Sequence, residues 1–365
     1  MDFKAAVLHQ PGEEISIESV QLKGLGATEV LIQVRASGLC HTDLEIIDGE
    51  LNWPLPVVLG HEGSGEVVEV GSEVRLVSVG DPVVCFWTPA CGGCFFCAQD
   101  QPILCKQLTL NNPKGDTFSG ARRLHLSDGK PLHHFSVISS HAEFCVIEEK
   151  AAVRIPDCIP WAEACLLGCG VMTGYGAIRN VALVRSGDSV GVFGCGAVGL
   201  NVVKSAQLAG ASQVIGIDPT LSRRQRALSF GATHVFTPEE ALNAIRELTD
   251  GRGVDHLIEA AGVRNTLQTA WDAVRTGGNL VVLGKMPVDG HVSLRWGSMM
   301  GEKRFIRSSY GGARPHRDFP ELVELYRSGN YPLGELIEQR ISLTQINEGF
   351  AKMRRGENIR TVIEF

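Results

Sequence analysis

From about residue 171 the chain alternates short β-branched runs with stretches of helical apolar spacing, and this alternation constrains the fold more than any other feature. Ser189–Phe193 reads as a strand, Val198–Ala209 as a helix, Val214–Asp218 as a second strand and Ser222–Phe230 as a second helix. Strand runs at 235–236, 255–258 and 279–283 continue the series, with helical segments near 239–249 and 264–275. Such a series folds as a doubly wound α/β layer with a parallel sheet and right-handed crossovers. Gly194-Cys195-Gly196-Ala197-Val198-Gly199 falls between the first strand and the first helix, the context in which G-x-G-x-x-G cradles a dinucleotide. The first glycine turns the chain, Gly196 admits the pyrophosphate and Gly199 lets helix and strand pack closely. Ala197 and Val198 open the helix whose N-terminus faces the phosphates. Asp218 ends the next strand, 24 residues after Gly194. A carboxylate there accepts from ribose hydroxyls and repels a 2′-phosphate, which favours NAD over NADP.

Residues 1 to about 150 have a different texture. Short strand runs such as Val30–Val34, Gly65–Val70 and Asp81–Val84 are broken by glycine and proline, so this half reads as β-rich. The polar stretch 107–134 reads as a long surface loop. A helix over Phe319–Arg327 and a closing strand over Thr361–Phe365 are expected to return to the first domain. The resulting division is 1–170, 171–313 and a return segment 314–365.

Four of the eleven cysteines crowd into Cys91-x2-Cys94-x2-Cys97-x7-Cys105. Four thiolates this close suit a closed tetrahedral zinc site with no open position, a fold staple and not a catalyst. Gly92-Gly93 lets the backbone turn between two of them. An iron–sulfur cluster on the same ligands and a set of buried free thiols are the alternatives. Three further residues, Cys40, His61 and Cys169, could supply an open three-ligand site, although a single cysteine or histidine alone is more often a packing residue than a ligand.

Composition narrows the class. Apolar residues make up 44% and charged residues 21%, with no low-complexity tract, so the chain is globular. A formal charge of −7 speaks against nucleic acid as a partner. The first residues lack a signal-peptide core, and no run of 18 apolar residues exists, so no membrane association and a cytoplasmic location are expected.

Taken in order, Cys40-His41-Thr42-Asp43, Gly60-His61-Glu62, the four-cysteine lobe, the segment Cys165–Gly176, the glycine fingerprint and Ile359-Arg360-Thr361 make this chain resemble the zinc-dependent medium-chain alcohol dehydrogenases over essentially its whole length. The resemblance implies a GroES-like catalytic domain beside the Rossmann domain, and two zinc ions per chain. It implies that Cys40, His61 and Cys169 hold a catalytic zinc, the two-cysteine, one-histidine set known for alcohol dehydrogenase. Glu62 is then an alternate ligand and Asp43 orients the His61 imidazole. His41, Arg223 and Arg360 take cofactor phosphate or ribose contacts, and the backbone at Gly284 and Lys285 meets the nicotinamide amide. Trp87 and Phe135 line a channel for an aromatic or hydrophobic alcohol.

By the same resemblance the zinc is a Lewis acid on the substrate oxygen, Thr42 takes the alcohol proton, and hydride passes to the cofactor. One position departs from the family. Many relatives end the proton relay on a histidine where this chain has Glu45, so Glu45 is the terminal base or water carries the proton away. Two neighbouring activities remain as alternatives. One is oxidation of the glutathione adduct of formaldehyde, whose acidic pair is missing between Asp48 and Pro54. The other keeps its cofactor bound and passes electrons to an external acceptor. Strands near 279–284 and 305–309 are expected to extend the sheet across a two-fold axis in a homodimer.

Overall fold

The computed structural model describes residues 1–287 and 289–365. The chain forms two units: Met1–Cys169 together with Arg314–Phe365, and Gly170–Ala313. Each builds its own core.

The second unit is a single parallel sheet of six strands. Their order is His234–Phe236, Gln213–Ile217, Ser189–Phe193, Val254–Glu259, Val274–Val282 and Arg304–Arg307. Numbered along the chain this is 3-2-1-4-5-6, the order of a dinucleotide-binding fold. Ser189–Phe193 is buried at every position, as a central strand covered on both faces must be. Helices Ala197–Leu208 and Leu221–Ser229 follow the first two strands, and Pro238–Leu248 and Arg264–Ala273 the next two. Pro238–Leu248 starts with Thr237 and Glu240 capping each other's backbone N–H groups, with proline at its first position. Ile215, Ile217, Leu257, Leu267, Trp271 and Leu280 fill the core on one side of the sheet.

In the first unit a seven-stranded sheet contains the long strand Glu29–Gly38, which pairs with Gly63–Val70, Phe144–Glu148 and the closing strand Arg360–Glu364. Val30, Ile32 and Val34 alternate into one core with Val67, Val83 and Ile147. A five-stranded sheet joins Leu124–Leu126, Ser16–Leu22, Asp2–Leu8, Val57–Val58 and His133–His134. The return segment enters through helix Pro315–Arg327 and ends with Val362 opposite Gly38 and Ile363 opposite Ser37.

The stretch 107–134 is not the surface loop its polarity suggests. It contributes helix Lys106–Asn111 and two strands, and it buries Thr117, Phe118, Leu124, Leu132 and His134. The physical reason is Glu29, a carboxylate with no exposure. Thr117 and Ser119 hydroxyls donate to its Oε1 at 3.2 and 2.7 Å, and Arg123 Nε and Gly26 N–H donate to Oε2 at 2.8 and 2.7 Å. The polar residues face a buried charge that would otherwise be too costly to keep.

Candidate metal and cofactor sites

The four lobe cysteines converge. Their sulfurs lie within 4.8 Å of one another, with Cys94 3.5 Å and Cys91 3.9 Å from Cys97. A tetrahedral ion with Zn–S bonds of about 2.3 Å places its sulfurs roughly 3.8 Å apart, so the spacing fits. Backbone N–H groups point at the sulfurs: Cys91 donates to Cys105 at 3.3 Å and Lys106 to Cys94 at 3.4 Å. The N–H groups of Lys106 and Cys97 draw the Cys94 thiol down to about 6, whereas burial pushes Cys97 up to about 12. The donor set is closed and all-sulfur, and it suits zinc.

A second cluster is assembled from distant segments. One ligand atom each from Cys40, His61, Glu62 and Cys169 lies within 4.8 Å of the others. Cys40 is the extended residue before helix His41–Ile47, and the Asp43 carboxylate accepts its N–H at 3.1 Å, which fixes the helix start. Leu44 and Ile47, one turn apart, anchor that helix in the core with Leu39, Ile346 and Phe350. His61 follows strand Val57–Val58, and its Nδ1 sits 3.3 Å from Asp43 Oδ1, leaving Nε2 for a metal. Gly38 N–H bonds to Glu62 O at 2.9 Å and Leu39 N–H to Thr361 O at 3.0 Å, so the returning strand lands beside the ligands.

That strand delivers Arg360. Its Nη1 donates to Leu39 O at 2.8 Å and its Nη2 lies 3.0 Å from Glu62 Oε1. The Glu62 contact is an ion pair, and its geometry leaves both carboxylate oxygens without a hydrogen bond. The guanidinium, 5% exposed, thus also forms part of the wall of the cysteine–histidine cluster. A buried glutamate beside His61 needs a cation, and Arg360 supplies it.

The electrostatics of the cluster call for positive charge. A hydrogen bond from Cys169 holds the Cys40 thiol well below its usual value despite burial, aided by His61 and Arg360. Burial pushes His61 down, but Asp43 and Cys40 outweigh it and raise the imidazole. Burial lifts the Glu62 carboxyl to about 8 against the pull of Arg360. A site that must collect protons on several ligand groups at once is one a divalent cation neutralises directly. Two sulfurs and one imidazole nitrogen, with the Glu62 carboxylate behind them, fit zinc with a fourth position left open.

The other expected residues fall as follows. Thr42 is half-buried with Oγ1 3.9 Å from Cys40 Sγ, and Glu45 lies one turn further along the same helix, also half-buried. His41 is exposed at the helix start. Phe135 is 1% exposed and meets the His61 ring edge-on at 5.5 Å and Trp53 at 4.9 Å. Trp53, which was not anticipated, donates its indole N–H to His134 O at 3.1 Å. Trp87 is half-buried against the core of the seven-stranded sheet.

In the second unit the glycine loop follows Phe193. A Cβ at Gly199 would lie 1.7 Å from Gly194 O, so no side chain fits where helix and loop touch. Nothing stands within 4 Å of a Cβ at Gly196, which leaves room for a ligand against the backbone. Asp218 is 2% exposed and accepts from Cys195 N–H and Thr220 N–H, both at 2.9 Å. It thereby ties the loop to the next strand. Arg223 Nη1 stands 4.0 Å from its Oδ2, and Arg224 donates to its carbonyl at 2.7 Å. Glu259, buried, accepts from Ala261 and Gly262 N–H, and Gly284 N–H bonds to its carbonyl at 3.0 Å. The loop, Asp218 and Gly284-Lys285 thus gather at the carboxyl ends of the strands, where open α/β sheets bind ligands.

A closed metal lobe, an open metal cluster and a dinucleotide cradle on these two units define a zinc-type dehydrogenase. Two family models match, an alcohol dehydrogenase GroES-like domain over residues 26–157 and a zinc-binding dehydrogenase domain over residues 197–328. The chain is 38% identical to an NDMA-dependent alcohol dehydrogenase of Amycolatopsis methanolica, covering 100% of this chain and 99% of that one. It is 32% identical to an S-(hydroxymethyl)glutathione dehydrogenase of Paracoccus denitrificans, covering 100% of each. Its structure superposes on the benzyl alcohol dehydrogenase of Acinetobacter calcoaceticus with a TM-score of 0.94 at 31% identity, covering 100% and 99%. The chain belongs to the zinc-dependent medium-chain alcohol dehydrogenase family. No helix among the described residues is long and apolar enough to cross a membrane.

Proposed function

We propose that this protein oxidises a primary alcohol with an aromatic or hydrophobic substituent to its aldehyde, reversibly, with NAD as hydride acceptor. The observation that carries the reading is the buried Cys40–His61–Cys169 cluster with Glu62 behind it. Zinc held there supplies Lewis acidity toward an alcohol oxygen, and NAD supplies the acceptor carbon for hydride.

The chain's own groups do the rest. Asp43 keeps the His61 ring turned for ligation, and Arg360 keeps Glu62 from competing as a free anion. The Thr42 hydroxyl, next to Cys40, receives the alcohol proton. Glu45 stands on the same helical face to pass it on, in place of a histidine. Phe135, backed by Trp53, sets an apolar wall against His61, which supports an aromatic or aliphatic substituent. Asp218 supports NAD because its carboxylate disfavours a 2′-phosphate.

A second reading has the cofactor stay bound while an external acceptor removes the electrons. The NDMA-dependent relative matched along the full chain favours it. The glutathione-adduct reading is weaker, because Glu50 is the one acidic residue between Asp48 and Pro54. We also infer a homodimer through the edge strand Arg304–Arg307. Phe305 at 39%, Trp296 at 76% and Met300 at 73% exposure near that edge support it, and sedimentation of the purified chain tests it.

The deciding assay follows NAD reduction in the near ultraviolet on zinc-assayed protein. The panel holds benzyl alcohol, short aliphatic alcohols, and formaldehyde with and without glutathione. Turnover of benzyl alcohol with free NAD supports the main reading. Turnover only after NDMA is added supports the bound-cofactor reading. Turnover confined to formaldehyde plus glutathione overturns both.

A further inference from the structure

The Asp43 carboxylate has a neighbour that neither the metal ligands nor the cofactor cradle employ. Asp43 is fully buried. Its Oδ1 accepts from Gly60 N–H at 3.0 Å and faces His61 Nδ1, while Oδ2 accepts from Cys40 N–H. On its remaining side stands His141, with Nε2 3.9 Å from Oδ2. His141 is itself without exposure. Its Nδ1 lies 2.9 Å from Ser37 Oγ, which lies 2.7 Å from Ser140 Oγ.

The ring is clamped in this place. Its backbone N–H donates to Leu59 O at 3.0 Å and its carbonyl accepts from Ala6 N–H at 2.9 Å. Gly60, at φ +94°, passes so close that a Cβ would stand 2.6 Å from His141 Nδ1. Phe350 closes the remaining edge at 6.1 Å.

Burial pushes the His141 imidazole down to about 4, so it carries a single N–H. With that proton on Nδ1, the Nε2 lone pair would face a carboxylate in the buried interior. With the proton on Nε2, Ser140 donates to Ser37, Ser37 donates to Nδ1, and the Nε2–H dipole points at Asp43. The second arrangement aligns every dipole toward the anion. At 3.9 Å the contact is charge–dipole and not a hydrogen bond, and both groups are fully buried, where such a term is stronger than in bulk solvent.

We propose that His141, set in its tautomer by Ser37, is a positioning residue for the open metal cluster: it holds the Asp43 carboxylate turned toward His61, and so keeps His61 Nε2 presented to zinc. This rests on the zinc reading of that cluster.

Zinc release to a chromogenic chelator, with the lobe's phase assigned in a Cys169→Ser background, tests the proposal apart from activity. His141→Phe keeps the ring's bulk and removes the dipole. We expect it to lose the open-site zinc roughly tenfold faster while lobe zinc and Tm stay close to wild type. His141→Gln, which restores an N–H, recovers most of the loss, and Ser37→Ala shows an intermediate rate. Release from His141→Phe at the wild-type rate overturns the proposal, and so does a His141→Gln variant as leaky as His141→Phe. If His141→Phe does not fold, Ser37→Ala decides, and a wild-type rate there overturns it. A wild-type chain carrying the lobe zinc alone overturns the zinc reading itself, a result separable from the others because no variant is needed to see it.

Discussion

The two cysteine clusters solve the same problem, gathering anionic ligands for one cation, in opposite ways. The lobe takes all four sulfurs from residues 91–105, and three of the four are partly exposed. Its negative charge is steadied by backbone N–H groups of the same loop. The open cluster draws ligands from Cys40 to Cys169, buries three of its four members, and has Asp43 of the Cys40 helix beside it together with side chains brought from afar, Arg360 and His141. A local site is therefore nearly self-contained. An assembled one depends on every strand that delivers a ligand or a counter-charge. Even the lobe is not wholly alone: Lys150 Nζ reaches Cys91 O at 3.5 Å, and Arg314 of the return segment pairs with Asp100 at 2.6 Å.

If the two sites divide labour this way, their ligands separate cleanly by mutation. Cys169→Ser is expected to lower turnover more than about a thousandfold and to drop zinc from two to one per chain, with the fold retained. Kinetics with elemental analysis checks this, and a fully active Cys169→Ser enzyme would break the comparison. Cys97→Ser should do the reverse, costing about 4–5 kcal/mol of stability in urea titrations while the open-site zinc persists. Loss of both metals together would show that the lobe supports the other site.

Asp43→Asn sharpens the distinction within the open cluster. It keeps the size of the side chain and removes its charge, so zinc affinity there should weaken tenfold to a hundredfold with no change at the lobe, as read by chelator competition.

The smallest effect is in acid. The first unit holds two fully buried neutral histidines, His134 near Glu29 and His141 beside Asp43, each pushed down by burial to about 4. The unfolded chain, with histidine near 6.5, binds the proton first, so each histidine subtracts stability as pH falls from 6.5 toward 4 and is neutral in effect above that window. Between pH 7 and 5.5 the loss is about 1 kcal/mol per histidine. His134→Gln should flatten the urea-midpoint slope in that window, and an unchanged slope would mean His134 is not buried neutral in solution.

Much of this architecture is legible along the chain because its signals are local. The alternation of Ser189–Phe193, the glycine loop and Gln213–Ile217 needs only neighbours in sequence to declare a parallel layer. The lobe cysteines declare themselves by spacing in the same way. The polar stretch 107–134 reads as a surface loop because its partner, Glu29, lies on another strand, and a buried carboxylate leaves no mark on the segment that neutralises it.

What the amino-acid order determined by itself was therefore the Rossmann layer, the closed thiolate lobe and, through resemblance, the names of the open cluster's ligands. The tertiary structure alone decided that Arg360 belongs beside Glu62, that Phe135, backed by Trp53, meets the His61 ring, and that Ser37 and His141 stand behind Asp43. The reason is physical: burial and counter-charge are properties of what surrounds a group, and those surroundings come from strands far apart in the chain.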